Sequence, residues 1–245
     1  MGASGAKKDL YGIALRVWRR QQNRKVELKL GKYIAIEGNI GAGKTTLAQM
    51  LAQRLNARLV LEQFADNPFL EEFYTSPERW AFTVEMAFMA ERYAQLSGIL
   101  TQSDLFQPDV VSDYHPLKSK LFASVNLSPK EFRLYSQFFD ALFSSIRGPD
   151  LIIFIRAELP TLMSNIKSRG RSFEQNIPSE YLLRLSEEYK NFLKMVTTPT
   201  ITLVRESFDF IGNDQHLELL IQALLRKDFT GNTLVSGPDE LAALV

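Results

Sequence analysis

The amino-acid sequence predicts an α/β fold: a five-stranded parallel sheet with helices on both faces and one short lid. Three observations predict it. Five short runs rich in β-branched residues and leucine, at 33–37, 58–62, 109–113, 151–155 and 200–204, are spaced along 245 residues. Near-continuous apolar runs of this kind are strands buried on both faces. Helical stretches alternate with them, as crossover helices alternate with parallel strands. The first run also leads straight into a glycine-rich loop and a helix-forming stretch, "IAIEGNIGAGKTTLAQM".

That loop, Gly38-Asn39-Ile40-Gly41-Ala42-Gly43-Lys44-Thr45, has the pattern G-x-x-x-x-G-K-[ST] in its required strand–loop–helix setting. Successive backbone N–H groups and a helix N-terminus converge there and favour a polyanion. Gly38, Gly41 and Gly43 let the backbone come close to it. Lys44 is expected on the β- and γ-phosphates of ATP, Thr45 on Mg²⁺, and Thr46 in the first helical turn beside them.

In an open parallel sheet, ligands bind beyond the carboxyl ends of the strands. The second run ends in Glu62 and the third in Asp113, so both carboxylates are expected in the cleft. One acid can take a proton from an attacking hydroxyl, and another can hold Mg²⁺ or its waters.

Helix starts are marked by Asn67-Pro68, Ser76-Pro77 and the capping box Ser128-Pro129-Lys130-Glu131. Residues 78–102 form the longest helical pattern, and residues 130–145 a second. Both are aromatic enough either to form the core or to pair with another subunit. On the first, Glu85, Met89 and Arg92 share one face, spanning about 10 Å of axis. That stripe is either a solvated edge or the polar side of a pocket walled by Phe82, Phe88 and Met89. Farther on, "IKSRGRSFEQNI" carries Arg169 and Arg171 around Gly170 after a helix. An arginine pair on such a segment suits the lid of a phosphoryl transferase, and one of the two equally suits a helix end.

Bulk properties narrow the classes. A formal net charge of +1 gives no global field for nucleic acid or anionic membrane. With no cysteine there is no disulfide, thiolate metal site or cysteine nucleophile. Apolar runs such as 151–155 fall far short of the roughly 20 residues a membrane helix needs. A soluble, cytoplasmic protein is expected. Residues 1–30 differ in carrying eight Lys and Arg against Asp9 and Glu27. This basic extension reads as a solvated arm, with an organellar transit peptide or surface helix as the alternative. Ala6 stands where a myristoylation signal needs Ser or Thr, which argues against lipidation.

Together these stretches resemble the deoxyribonucleoside kinases, nearest in pattern to the bacterial deoxyguanosine kinase branch. The likeness runs from about residue 32 to 225 and includes the glycine loop, "DNPFLEEFY", "PERWAFTVEMAF", "SDYHPLKSKLFA", "LSPKEFRLY", "IRAELPTL" and "SRGRSFEQNIPSEYL". It implies a P-loop nucleoside kinase fold over residues 31–228, followed by a C-terminal tail at 229–245. It also implies a homodimer formed through the long helices. By the same resemblance the phosphate acceptor is a nucleoside 5′-hydroxyl and Glu62 the base acting on it. Tyr74 and Glu174 would contact the sugar, Arg92 would hold Glu62 and the substrate, Asp113 would stand at the Mg²⁺ side, and Arg169 and Arg171 would act from the lid.

Two departures stand out. Where many relatives carry Asp/Glu-Arg-Ser, this chain has Asp113-Tyr114-His115, with Lys118 a candidate for the missing arginine. Asn165 replaces another lid arginine. Glu85 stands where many relatives place a base-reading glutamine. An ionised glutamate only accepts hydrogen bonds, whereas the guanine edge presents adjacent N1–H and N2–H donors. Deoxyguanosine is therefore the first expectation, with deoxyinosine next and a deoxyadenosine/deoxycytidine kinase of the same family as the alternative. A nucleoside monophosphate kinase, a non-catalytic nucleotide-binding subunit and a nucleic-acid-stimulated ATPase fit less well.

Overall fold

The computed structural model describes residues 31–63, 67–100, 108–175, 177–226 and 228–244. The basic extension and the far end of the 78–102 helix pattern lie outside the described residues. The central strand β1 (Tyr33–Gly38) is buried throughout, and β4 (Leu151–Arg156) is buried at all but its last residue. Between them in sequence come β2 (Arg58–Val60) and β3 (Val110–Ser112). β5 (Thr200–Val204) and β6 (Asn232–Val235) complete one all-parallel sheet of order β2-β3-β1-β4-β5-β6.

The sheet thus has six strands rather than the five expected. β6 comes from the stretch read as a C-terminal tail. It is a short edge strand whose residues alternate between exposed and covered, so it carries no long apolar run. Its pairing with β5, Thr200 to Asn232 through Leu203 to Val235, is a backbone matter that side-chain pattern barely records.

The nine helices of the described residues begin with α1 (Lys44–Leu55), α2 (Leu70–Thr75) and α3 (Pro77–Leu100). Next come α4 (Lys118–Asn126), α5 (Pro129–Phe143) and α6 (Leu159–Arg169). The last are α7 (Ser179–Met195), α8 (Asp214–Arg226) and α9 (Pro238–Ala242). α5 starts as expected: Ser128 Oγ accepts from Glu131 N while Glu131 Oε2 accepts from Ser128 N at 2.9 Å. Asn67 does not cap a helix. Its Oδ1 accepts from Phe69 N at 3.0 Å in a turn, and its Nδ2 donates to Val84 O at 3.2 Å, so α2 begins three residues later. α6 stops at Gly170, whose φ of 70° is the left-handed conformation glycine adopts without strain. No described helix is long and apolar enough to cross a membrane.

Candidate active site

The glycine loop between β1 and α1 leads into an open helix N-terminus. α1 has no side-chain cap and no acidic residue in its first turn, so the amides of Lys44, Thr45 and Thr46 point toward whatever anion the loop holds. Gly41 (φ 82°) and Gly43 (φ 99°) take left-handed angles, and a Cβ on Gly41 would lie 2.7 Å from Leu162 O. The loop is therefore packed against α6 as closely as backbone allows. Asn165 on that helix strengthens the contact by donating to Gly41 O at 2.8 Å. The Asn39 side chain bridges the loop and α7, its Oδ1 accepting from Ile40 N at 2.7 Å. Its Nδ2 donates to Leu182 O and Ser186 Oγ, both at 2.8 Å, which ties the loop to α7. Lys44 Nζ donates to Gly38 O and Asn39 O at 2.9 Å. Burial, then the Lys118 charge, lower the Lys44 pKa to about 8.

β2 and β3 end two and one residues earlier than the pattern predicts, at Val60 and Ser112, so Glu62 and Asp113 stand just past the strands. The cause is a crossing of hydrogen bonds there. Asp113 N donates to Val60 O at 3.1 Å, and Asp113 Oδ1 accepts from Glu62 N at 2.7 Å. The other oxygen, Oδ2, accepts from Thr45 Oγ1 at 2.7 Å. Burial and then the Glu62 charge raise the Asp113 pKa.

Glu62 is gripped from two sides. Arg92 donates to Oε1 from Nε at 2.9 Å and from Nη2 at 2.5 Å, and Lys118 Nζ donates to Oε2 at 2.5 Å. Burial favours the neutral acid, but Lys118 and Arg92 outweigh it and hold the Glu62 pKa down to about 2. Arg92 also donates to Ser119 Oγ at 2.9 Å and lies 5.1 Å over the Phe88 ring. Lys118, the residue proposed from the sequence in place of an arginine, is thus brought to the carboxylate.

The Glu85–Met89–Arg92 stripe is no solvated edge: Glu85 is 2% exposed, Met89 1% and Arg92 3%. Glu85 Oε1 accepts from Asn126 Nδ2 at 2.6 Å, and Oε2 has no hydrogen-bond partner among the described residues. Burial raises the Glu85 pKa to about 7 against the pull of Arg92 and the Asn126 hydrogen bond. Near the lid, Arg169 Nη2 pairs with Glu174 Oε2, and Arg171 Nη1 pairs with Glu174 Oε1 at 3.3 Å. Tyr74 stacks on Phe173 of this segment at 6.3 Å between ring centroids.

These groups surround one cavity of about 740 Å³, open mouth included. Its lining brings Ile40, Gly41, Lys44 and Thr45 of the glycine loop and α1 together with Glu62 and Asp113, with Glu85, Phe88 and Asn126, and with Tyr74, Arg169, Arg171 and Glu174. Phe82 and Met89, expected as apolar walls beside Phe88, are absent from the lining, Met89 being buried in the core; Leu70, Val84, Phe122 and Tyr181 supply apolar surface instead. Sequence reasoning passed over Asn126 and Tyr181, because a lone amide at a helix end and a tyrosine on an amphipathic helix carry no pattern of their own.

Mg²⁺ prefers hard oxygen ligands and keeps several waters beside one or two protein groups and substrate phosphates. The Thr45 hydroxyl and Asp113 carboxylate, already adjacent at the glycine loop, fit that requirement. No cluster of three or more His, Cys, Asp or Glu among the described residues forms an all-protein metal cage.

Comparison with known proteins agrees with this fold. The deoxynucleoside kinase family model matches residues 34–229. Deoxyguanosine kinase of Bacillus subtilis (strain 168) is 40% identical over 195 residues, 76% of this chain and 92% of the relative. Deoxyadenosine/deoxycytidine kinase of the same organism is 27% identical over 196 residues, 78% and 90% of the two chains. Deoxyadenosine kinase from M. mycoides, solved with dCMP and dCDP bound, superposes with a TM-score of 0.70 at 25% identity, covering 80% of this chain and all of that one. With six parallel strands, a glycine loop at the end of β1 and a match across most of its length, the chain belongs to the deoxynucleoside kinase family.

Proposed function

We propose that the chain transfers the γ-phosphoryl group of ATP to the 5′-hydroxyl of a purine deoxyribonucleoside, deoxyguanosine first. The observation that carries the choice of base is the buried Glu85 carboxylate, with one oxygen unpartnered, in the same cavity as Glu62. A buried acceptor with no partner favours a ligand that brings a donor to it. The base then lies between Phe88 and the apolar wall, the sugar beside Tyr74 and Glu174, and the 5′-hydroxyl at Glu62.

Glu62 accepts the hydroxyl proton as the 5′-oxygen forms its bond to the γ-phosphorus; the bond from that phosphorus to the β–γ bridging oxygen breaks, and ADP leaves. A carboxylate with a pKa of about 2 is a weak base. It suffices because phosphoryl transfer passes through a loose transition state that asks chiefly for positioning and charge stabilisation. Lys44, Arg169 and Arg171 supply positive charge around the transferred group, and Arg92 and Lys118 fix the Glu62 carboxylate. Thr45 and Asp113 would hold Mg²⁺, which when bound would neutralise charge on the β- and γ-phosphates.

A second reading draws on the Glu85 pKa of about 7. A protonated carboxyl offers one donor and one acceptor, which suits adenine or cytosine as a glutamine does. The deoxyadenosine/deoxycytidine alternative therefore belongs to the acid side of neutrality.

The long helices suit a homodimer. On α5, Leu134 and Phe138 are each 45% exposed, and on α3 the small residues Ala90, Ala94 and Gly98 face open space. A cytoplasmic location fits such an enzyme. The deciding experiment is a panel of deoxynucleosides with ATP and Mg²⁺, read by product formation, with deoxyguanosine monophosphate as a parallel acceptor. Deoxyguanosine is expected to give the highest kcat/KM. Preferred phosphorylation of the monophosphate, or no ATP-dependent loss of any deoxynucleoside, would reject the proposal.

A further inference from the structure

Asn126 is the last residue of α4 and stands in the wall shared by the cavity and a wider outer vestibule lined by Ser76, Arg79, Pro178 and Arg184. Its amide nitrogen reaches Glu85 Oε1 at 2.6 Å, a short contact to a carboxylate that is 2% exposed. Glu85 Oε2 receives nothing from any described residue. Several polar groups surround this carboxylate: Arg92 on its own helix, Glu62 past β2, Lys118 on α4, Tyr74 on α2, Tyr135 on α5 and Tyr181 on α7. Arg92 and Lys118 direct their side-chain hydrogen bonds to Glu62 and Ser119, and the Tyr135 hydroxyl goes to the Glu85 backbone carbonyl at 3.3 Å. Asn126 is therefore the side chain that orients the acid.

A carboxylate with both oxygens open would receive the two adjacent donors of guanine, N1–H and the exocyclic N–H, side by side. Here one oxygen is already engaged. We propose that Asn126 is a specificity-determining positioning residue: by taking Glu85 Oε1 it leaves Oε2 as the open acceptor, so the site reads a single lactam N–H, which hypoxanthine presents as well as guanine. This inference rests on Glu85 reading the base. It adds that the exocyclic amine of guanine contributes little to selection, because the oxygen it would approach is already shared with the Asn126 amide at 2.6 Å, which competes for it.

The test measures kcat/KM for deoxyguanosine and deoxyinosine with ATP, using the full chain and the variants Asn126→Ala, Asn126→Gln and Glu85→Gln, above neutral pH. The unaltered chain is expected to use the two nucleosides within a few-fold of each other. Asn126→Ala is expected to raise the deoxyguanosine-to-deoxyinosine ratio by about tenfold, the size of one added hydrogen bond to a charged acceptor. Asn126→Gln, which keeps the amide donor, is expected to restore most of the original ratio. A residue that merely supports the fold would lower both substrates alike, so an unchanged ratio in Asn126→Ala overturns the proposal. If the alanine chain does not fold, Asn126→Ser, too short to reach Oε1, serves the same comparison with the same two outcomes. A Glu85→Gln variant whose selectivity is unchanged overturns the reading of Glu85 and this inference with it. A changed Glu85→Gln beside an unchanged Asn126→Ala overturns the Asn126 part alone.

Discussion

Arg92 donates twice to a single oxygen of Glu62, from Nε at 2.9 Å and Nη2 at 2.5 Å, which leaves Oε2 to Lys118. Both partners come from helices, α3 and α4, while Glu62 follows a strand, so three elements must meet to fix this one carboxylate. Removing its charge should separate binding from chemistry. Glu62→Gln is expected to hold deoxyguanosine with little change in Kd while kcat falls by about 10²- to 10⁴-fold, the usual contribution of a positioned base. Single-turnover kinetics beside equilibrium binding measure the two separately. Near-normal turnover would mean that another group takes the proton.

Arg92→Lys keeps the charge but loses the planar two-nitrogen grip. The carboxylate then loses its fixed orientation, and kcat should drop by about tenfold or more even though net charge is conserved. Unaltered kcat would show that Lys118 alone positions the acid.

Glu85 gives a pH signature. Its pKa is raised to about 7, first by burial, so the acceptor form fills only as pH rises through that value. The kcat/KM for deoxyguanosine should therefore climb through neutrality and level off above it, while deoxyadenosine and deoxycytidine gain relative to it on the acid side. Glu85→Gln should flatten this limb. An acid limb that survives in Glu85→Gln would assign the titration elsewhere.

Lys44 provides a proton-linkage test. Its pKa in the free protein is lowered to about 8, by burial and then by Lys118. Phosphate bound beside it favours the charged form, so ATP binding should take up protons near that pH and weaken as pH rises beyond it. Calorimetric titrations in two buffers of different ionisation enthalpy would measure the uptake. Equal heats in both buffers would contradict it.

Leu134 and Phe138, one turn apart on α5, test association. A chain carrying Phe138→Glu is expected to shift from dimeric to monomeric mass in light scattering, with its circular dichroism retained. A monomeric mass for the unaltered chain would reject the homodimer itself.

The sequence by itself determined the sheet core, the phosphate loop and the start of α5. Each of these rests on local chemistry: apolar runs, glycines at left-handed angles, and a reciprocal cap within four residues. It also named Glu62 and Asp113 from the strand ends, and placed Glu85 and Arg92 on one helix face, while leaving open whether that face was a solvated edge or a pocket wall. Only the tertiary structure decided that Arg92 and Lys118 share Glu62, that Asn39 anchors to α7, and that Phe82 leaves the cavity. It also decided that Asn126, 41 residues from Glu85, holds that acid. Such pairings join distant segments whose packing depends on the whole chain, and an edge strand such as β6 likewise depends on backbone pairing with a neighbour. No periodicity records either kind of contact.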